Sequence, residues 1–157
     1  MSDHMKYIWY GIAILAIGTW LRIGWVMFYP YKPIEVHAVN ILDEDNTVTA
    51  GENLNYETVY TKHMMLRAEV QRRLINSYVL TVPTYTRSVP LGHGRTKNYI
   101  TIPEFADPGV YRLSIVWTYQ VSDFPARIIN VEAISAPFLV VKKDHTVNIL
   151  KKALLGK

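Results

Sequence analysis

Cysteine is absent from the 157 residues. Disulfide scaffolds, thiolate metal centres and cysteine nucleophiles are thereby excluded. The signatures of common catalysts are missing too. No G-x-S-x-G elbow, P-loop or dinucleotide fingerprint occurs. The histidines His4, His37, His63, His93 and His145 are scattered, without H-x-x-H or H-E-x-x-H spacing. No internal repeat is present, and the length admits one domain with an appendage rather than two full domains. Disorder is equally excluded, since half the residues are hydrophobic and eleven are tyrosine.

The apolar residues are concentrated. Residues 7–29 hold 18 apolar residues out of 23, and the remainder has the composition of an ordinary globular domain. A helix of that length spans roughly 34 Å, against a hydrocarbon core of about 30 Å. Tyr7, Trp9 and Tyr10 cluster at one end, with Trp20, Trp25 and Tyr29 towards the other, as interfacial aromatics do. Pro30 and Pro33 then end the helix. Arg22 lies near enough to that end for its side chain to reach the headgroups. A single transmembrane helix, acting as an uncleaved signal anchor, is the expectation.

Three alternatives bear on this segment. A cleaved signal peptide is disfavoured by the length of the run and the lack of an A-x-A-like site. A buried core helix, or a helix packed inside an assembly such as a virion, would have the same composition. Orientation is weakly encoded, because Lys6 is opposed by Asp3 while Arg22 and Lys32 flank the far side. The long domain behind an uncleaved helix favours an inside amino terminus and an extracytoplasmic domain.

Residues 34–142 are expected to be all-β. Tyr111, Leu113, Ile115, Trp117, Tyr119 and Val121 fall on one face of a strand, with Arg112, Ser114, Thr118 and Gln120 on the other. Comparable runs begin at Ile34, Asn53, Leu66, Ser77, Asn98, Ala126 and Phe138. Turn signals separate them at Asp43-Glu44-Asp45-Asn46, Ala50-Gly51-Glu52, Gly92-His93-Gly94, Asp107-Pro108-Gly109 and Ser122-Asp123-Phe124-Pro125. Seven or eight short strands at this spacing predict an antiparallel sandwich.

Asp107, Gly109 and Tyr111 stand in a D-x-G-x-Y pattern. It resembles the corner before strand F of immunoglobulin-like domains. The resemblance implies that the Tyr111 hydroxyl bonds back to nearby backbone, and that Leu113 takes the place of the second cysteine of antibody domains. No evident tryptophan lies on strand C, so the broad immunoglobulin-like or fibronectin-like class is implied rather than the antibody type. The layout of tail 1–6, anchor 7–29, proline-rich juncture 30–33, sandwich 34–142 and tail 143–157 also resembles small membrane-anchored proteins of tailed bacteriophages. That likeness implies a part in modulating a host envelope.

Charge is unevenly placed. Residues 30–61 carry six acids against Lys32, whereas residues 62–97 carry seven Lys or Arg against Glu69. Arg67, Arg72, Arg73, Arg87, Arg95 and Lys97 make a candidate basic contact face for anionic lipid or an acidic partner. On strand C the outward residues would be Arg67, Glu69, Gln71 and Arg73, with Arg72 breaking the alternation as at a bulge. A solvated face and charge-protected edge strands are the bland alternative. Nucleic acid is disfavoured, as no stacking aromatics are interleaved. Residues 142–157 carry five Lys against Asp144 and so account for the whole net charge of +4. Asp144 or Thr146 can cap a short basic amphipathic helix ending at Gly156, with Leu150, Lys151, Lys152 and Leu154, which suits a membrane surface, a partner or the sandwich itself.

Metal and cofactor sites are not expected. His63 and His93 can meet in a folded sandwich, yet two isolated histidines are more often surface residues. Asp43-Glu44-Asp45 lacks the spacing and distal Glu of an EF-hand, so it reads as a solvated turn. Gly92-His93-Gly94-Arg95 lacks the following helix a phosphate cradle needs. The expected function is a non-enzymatic, membrane-anchored binding module with a lipid bilayer and a protein partner, or a second copy of the chain. Loops Thr61–Met65 and Leu91–Thr96 are its expected contacts. A structural virion or filament component is the alternative.

Overall fold

The computed structural model describes residues 3–142. Helix α1 spans Asp3–Phe28, and nine strands follow it: β1 Ile34–Ile41, β2 Thr47–Thr49, β3 Asn53–Lys62, β4 Ala68–Ile75, β5 Val79–Arg87, β6 Gly92–Thr101, β7 Gly109–Asp123, β8 Ala126–Ile134 and β9 Phe138–Val141. The proposed tail helix, with Leu150, Lys151, Lys152 and Leu154, lies outside the described residues.

The strands form two sheets. One has the order β1-β3-β6, and the other the order β2-β9-β7-β4-β5, with β8 also on β7. β7 holds the second sheet together because its fifteen residues serve two partners along one side. Gly109–Tyr111 pair with β9, and Ser114 onward pairs with β8. β2 and β9 are the parallel pair, while the other pairings are antiparallel.

Alternation decides what fills the space between the sheets. Tyr111, Leu113, Ile115, Trp117 and Tyr119 of β7 are buried, as are Leu54, Tyr56 and Tyr60 of β3, Val70 and Leu74 of β4 and Ile100 of β6. A side-chain period of two turns such positions to one face. Tyr111 stacks on Phe138 of β9 with ring centroids 6.3 Å apart, tying the strand that begins β7 to the last strand.

Four details depart from the sequence-based expectation. β2 is an additional strand, and its three residues are too few for a period to register. β6 starts at Gly92 rather than Asn98, so Gly94 is a strand residue and not part of a turn. A Cβ at Gly94 would lie 2.8 Å from the Tyr60 hydroxyl, so the glycine admits the tyrosine ring of its cross-strand partner. β4 starts at Ala68 rather than Leu66. The bulge also sits on the other strand. Val70 pairs with Tyr85 and Arg72 with Val82, which places the extra residue on β5 beside Pro83. Proline has no N–H to give the ladder, so the irregularity belongs where it stands. Arg72 keeps the alternation and shares the inward side with Val70 and Leu74.

The strand directions give the domain two distinct ends. Ile34, Lys62 and Gly92 stand in one row at the end where α1 enters, together with the β3–β4, β5–β6 and β7–β8 connections. Residues 50–52, 76–78 and 102–108 occupy the opposite end. β9 runs towards that far end, where Lys142 closes the described chain.

Candidate functional site

Helix α1 has almost no partner in the molecule. His4–Phe28 is long and apolar enough to cross a membrane, with a mean hydropathy of 1.7, and Val26 is its buried residue. By length and composition it suits an anchor or a signal sequence alike. Tyr7, Trp9, Tyr10, Trp20, Arg22, Trp25 and Tyr29 are all exposed. Thr19 hides its hydroxyl by donating to the Leu15 carbonyl at 2.8 Å, so the middle of the helix presents no free polar side chain there.

The helix ends on an aromatic ladder. Trp25 and Tyr29 lie 4.8 Å apart by ring centroids, and Tyr29 and Tyr31 also 4.8 Å. Arg127, at the start of β8, closes this end. Its guanidinium donates to the carbonyl oxygens of Val26 and Tyr29, the latter at 2.7 Å, and stands 5.2 Å over the Tyr31 ring.

Two of the three connections at the helix end, β3–β4 and β5–β6, are bound to each other. Lys62 terminates the inward row of β3 and is 3 % exposed. Its ammonium donates to the carbonyls of Leu66 and Val89 at 2.8 and 2.9 Å, and to the Ser88 hydroxyl at 3.3 Å. Burial pushes its pKa below the ordinary lysine value. Three hydrogen bonds offset the cost of burying the charge. The backbone N–H groups of His63 and Met64 donate to the Pro33 carbonyl at 3.0 and 3.3 Å, which fixes the β3–β4 connection to the juncture behind the helix. Lys62 falls within the expected contact loop Thr61–Met65 but with no buried role expected of it, and Arg127 is not among the expected site residues. The inward alternation Leu54, Tyr56, Thr58, Tyr60, Lys62 carried the signal for the first. Nothing local marks the second.

The six basic residues do not form one face. Arg67 is exposed at the helix end, and Arg73 lies on the outer side of β4, donating to Gln71 at 2.6 Å. Arg95 and Lys97 are exposed on the other sheet, where Arg95 faces Glu57 at 3.9 Å. Arg72 and Arg87 reach between the sheets. Arg72 donates to the Tyr99 carbonyl at 2.9 Å and stands 4.7 Å over the Tyr85 ring, while Arg87 donates to the Asn98 side chain. The reason is topological, since β4 and β6 belong to opposite sheets.

Asp107, Gly109 and Tyr111 sit at the far end. The Tyr111 hydroxyl donates to the Asp107 carbonyl at 2.9 Å and shares a 3.0 Å hydrogen bond with the Tyr78 hydroxyl. Tyr78 in turn lies 3.2 Å from the Asp107 carboxylate.

The histidines pair differently from expectation. His93 lies beside His37, at 5.9 Å between rings with the Thr61 hydroxyl between them, because β1, β3 and β6 are neighbours. His63 instead faces Glu35 at 3.8 Å. Among the described residues no group of three potential ligands converges on a metal position. The acidic turn is occupied by structure. The Asp43 carboxylate accepts from the backbone N–H and the side-chain amide of Asn55, each at 2.8 Å.

The sandwich also carries concave features. A partly open pocket of about 20 Å³ lies against Tyr56, Tyr85, Arg87, Asn98 and Trp117, the size of one water molecule. A groove of about 510 Å³ opens between β5 and β6, with Arg72 at its base and Pro83, Tyr99 and Phe105 along it.

No family model and no curated protein sequence matches this chain. Among solved structures, it is similar to part of the neutral ceramidase from Pseudomonas aeruginosa, at 14% identity and a TM-score of 0.42, covering 74% of this chain and 20% of that one. It is similar to part of the alkylpurine DNA glycosylase AlkC from Pseudomonas fluorescens, at 11% identity and a TM-score of 0.37, covering 69% of this chain and 30% of that one. The CARDB domain of the PF1109 protein from Pyrococcus furiosus is similar at 15% identity and a TM-score of 0.38, covering 71% of this chain and 91% of that one. The chain thus spans less than a third of the two enzymes. At TM-scores below 0.5, none of these likenesses bears on function.

Proposed function

We propose that this chain is a single-pass membrane protein that holds an immunoglobulin-like sandwich at a membrane surface as a non-enzymatic binding module. The observation that carries the reading is the state of α1, whose apolar side chains are nearly all exposed while its last carbonyls are held by Arg127 of the sandwich. An apolar surface of that extent is costly in water and is a mark of an interaction site or a bilayer. A bond between helix end and domain supports a retained anchor over a discarded leader. The long domain behind an uncleaved helix favours an extracytoplasmic sandwich.

Two sheets and the Tyr111–Asp107 hydrogen bond support the immunoglobulin-like assignment. A binding role is favoured over catalysis because the buried and half-buried cations have structural tasks: Lys62 serves three loop acceptors, and Arg72 and Arg87 bridge the sheets. The partner is a protein or a second copy of this chain.

Fractionation of cells expressing the full chain, followed by carbonate extraction and protease added from outside, tests the reading. Carbonate resistance with a digestible sandwich is the expected result. Release by carbonate would overturn the anchor and favour a helix packed within an assembly. A chain shortened at its amino end would make α1 a signal sequence.

A further inference from the structure

Each connection at the helix end presents one large apolar side chain to solvent. Met65 of the β3–β4 connection is 85% exposed, Leu91 of the β5–β6 connection 50% and Phe124 of the β7–β8 connection 71%. We infer that this end of the sandwich is a lipid-contacting surface, with Met65, Leu91 and Phe124 seated in the interfacial layer of the bilayer and Lys32 and Arg67 over anionic headgroups. The inference rests on the reading that α1 crosses that bilayer.

Position is the first argument. Each of the three side chains is tied to the point where α1 ends. Met65 follows Met64, whose N–H donates to the Pro33 carbonyl. Leu91 lies two residues from Val89, and Lys62 binds Val89 and Leu66 together. Phe124 lies three residues before Arg127, which holds the carbonyls of Val26 and Tyr29. Asp123 pairs with Ala126, so Phe124 and Pro125 form the tip of this hairpin, beyond the level of Arg127. A helix that leaves the bilayer at Phe28 therefore delivers all three side chains to the interface at once.

Chemistry is the second argument. Methionine, leucine and phenylalanine at loop tips gain from an apolar or interfacial medium and gain nothing from water. Lys32 and Arg67 are exposed beside them. Cations at that level are drawn to anionic lipid within about a Debye length. Three carboxylates stand near this end as well: Glu35 faces His63 at 3.8 Å, Asp123 accepts from Gln120 at 2.7 Å, and Glu69 lies two residues beyond Arg67. The attraction to anionic lipid therefore rests on Lys32 and Arg67 locally rather than on the net charge of the surface. The far end supplies a control. Phe105 is 76% exposed there, on the opposite side of the domain from α1.

The cysteine-free chain makes the experiment direct. Full-length Met65→Cys, Leu91→Cys, Phe124→Cys, Phe105→Cys and Leu15→Cys variants each take one NBD fluorophore. They are reconstituted into phosphatidylcholine–phosphatidylglycerol vesicles, with lipids spin-labelled at the headgroup or deep in the chain as quenchers. Quenching by the headgroup label should be several-fold stronger at positions 65, 91 and 124 than at 105, and Leu15→Cys should respond to the deep label. Loop positions that quench no better than 105, with 15 still quenched, would overturn the inference and leave the anchor standing. Quenching at 105 equal to that of the loops would also overturn it, since no oriented surface would exist. Absence of quenching at 15 would instead remove the transmembrane reading. Lys32→Gln with Arg67→Gln should weaken loop quenching in the mixed vesicles but not in pure phosphatidylcholine. An equal effect in both would remove the anionic headgroup from the proposal.

Discussion

The guanidinium of Arg127 donates to the carbonyl oxygen of Tyr29 at 2.7 Å across 98 positions of sequence. A helix leaves its last carbonyls without intrahelical partners and carries partial negative charge at that end. The last turn of α1 contains no basic residue of its own. The sandwich supplies the missing cation, so the orientation of the domain and the satisfaction of the helix end depend on one side chain.

Arg127→Ala should loosen this junction without unfolding the sandwich. Spin labels placed on the exposed Phe28 and Ala126 positions of the full chain should give a broader distance distribution than in the parent. Arg127→Lys should restore the charge but not the full narrow distribution, since Nη1 alone serves both carbonyls while the planar guanidinium that lies over Tyr31 has no counterpart in an ammonium. Unchanged distributions in both variants would mean that the chain segment 29–33 orients the domain by itself.

Tyr111→Phe should lower stability by about 1 kcal/mol, the net worth of a part-buried hydrogen bond whose acceptor on exposed Asp107 can turn to water. The Tyr111 hydroxyl serves both the Asp107 carbonyl and Tyr78 in a ring that is otherwise fully buried. Tyr78→Phe should cost less because Tyr78 is exposed to water. Urea denaturation reads both, as a shift in midpoint at constant slope.

Much of this architecture is legible from period and composition. β7 alternates over most of its fifteen residues, so its buried face can be named residue by residue, and α1 is the one segment apolar on every side. The same alternation in β3 points Lys62 inward, and only the expectation that lysine stays outside hides it. The distribution of the arginines is legible only in part. Arg72 and Arg73 are adjacent in sequence, yet one crosses to Tyr99 of the opposite sheet while the other stays outside. The period of two on β4 already puts the two on opposite faces, but the partner that Arg72 meets depends on which strand lies across the gap, a long-range fact. Arg127 is harder still, because its partners are carbonyls, which leave no trace in side-chain identity.

The arginines should therefore divide by energy as they do by position. Arg72→Met should cost about 1–2 kcal/mol, through loss of the cation over the Tyr85 ring and of the bond to the Tyr99 carbonyl. Arg95→Gln should stay within about 0.5 kcal/mol, as an exposed arginine facing Glu57 at 3.9 Å contributes little. Thermal or urea unfolding of the two variants distinguishes them. Equal costs would mean that the exposed basic residues carry structural weight that their contacts do not account for.

Alkaline pH should weaken the sandwich through its buried tyrosines. Burial pushes Tyr119 up to about 12, and burial with the neighbouring Tyr85 raises Tyr56 as well. A pKa raised in the folded state means that the unfolded chain loses its proton first. The stability these groups contribute is complete below their ordinary value near 10 and is lost as pH climbs from there through the folded values. Lys62 acts in the opposite sense, because its folded pKa lies below the ordinary 10.5 and stability gains as pH rises through that interval. With these two tyrosines, and Tyr78 raised by its hydrogen bond with Tyr111, against one lysine, the net trend above pH 10 should be a fall. Tyrosinate absorbance from Tyr56 and Tyr119 should then rise together with loss of the β-sheet circular dichroism. Tyr119→Phe should flatten the stability decline between about pH 10 and 12. An absorbance rise complete before any loss of β structure would place Tyr56 and Tyr119 in contact with water.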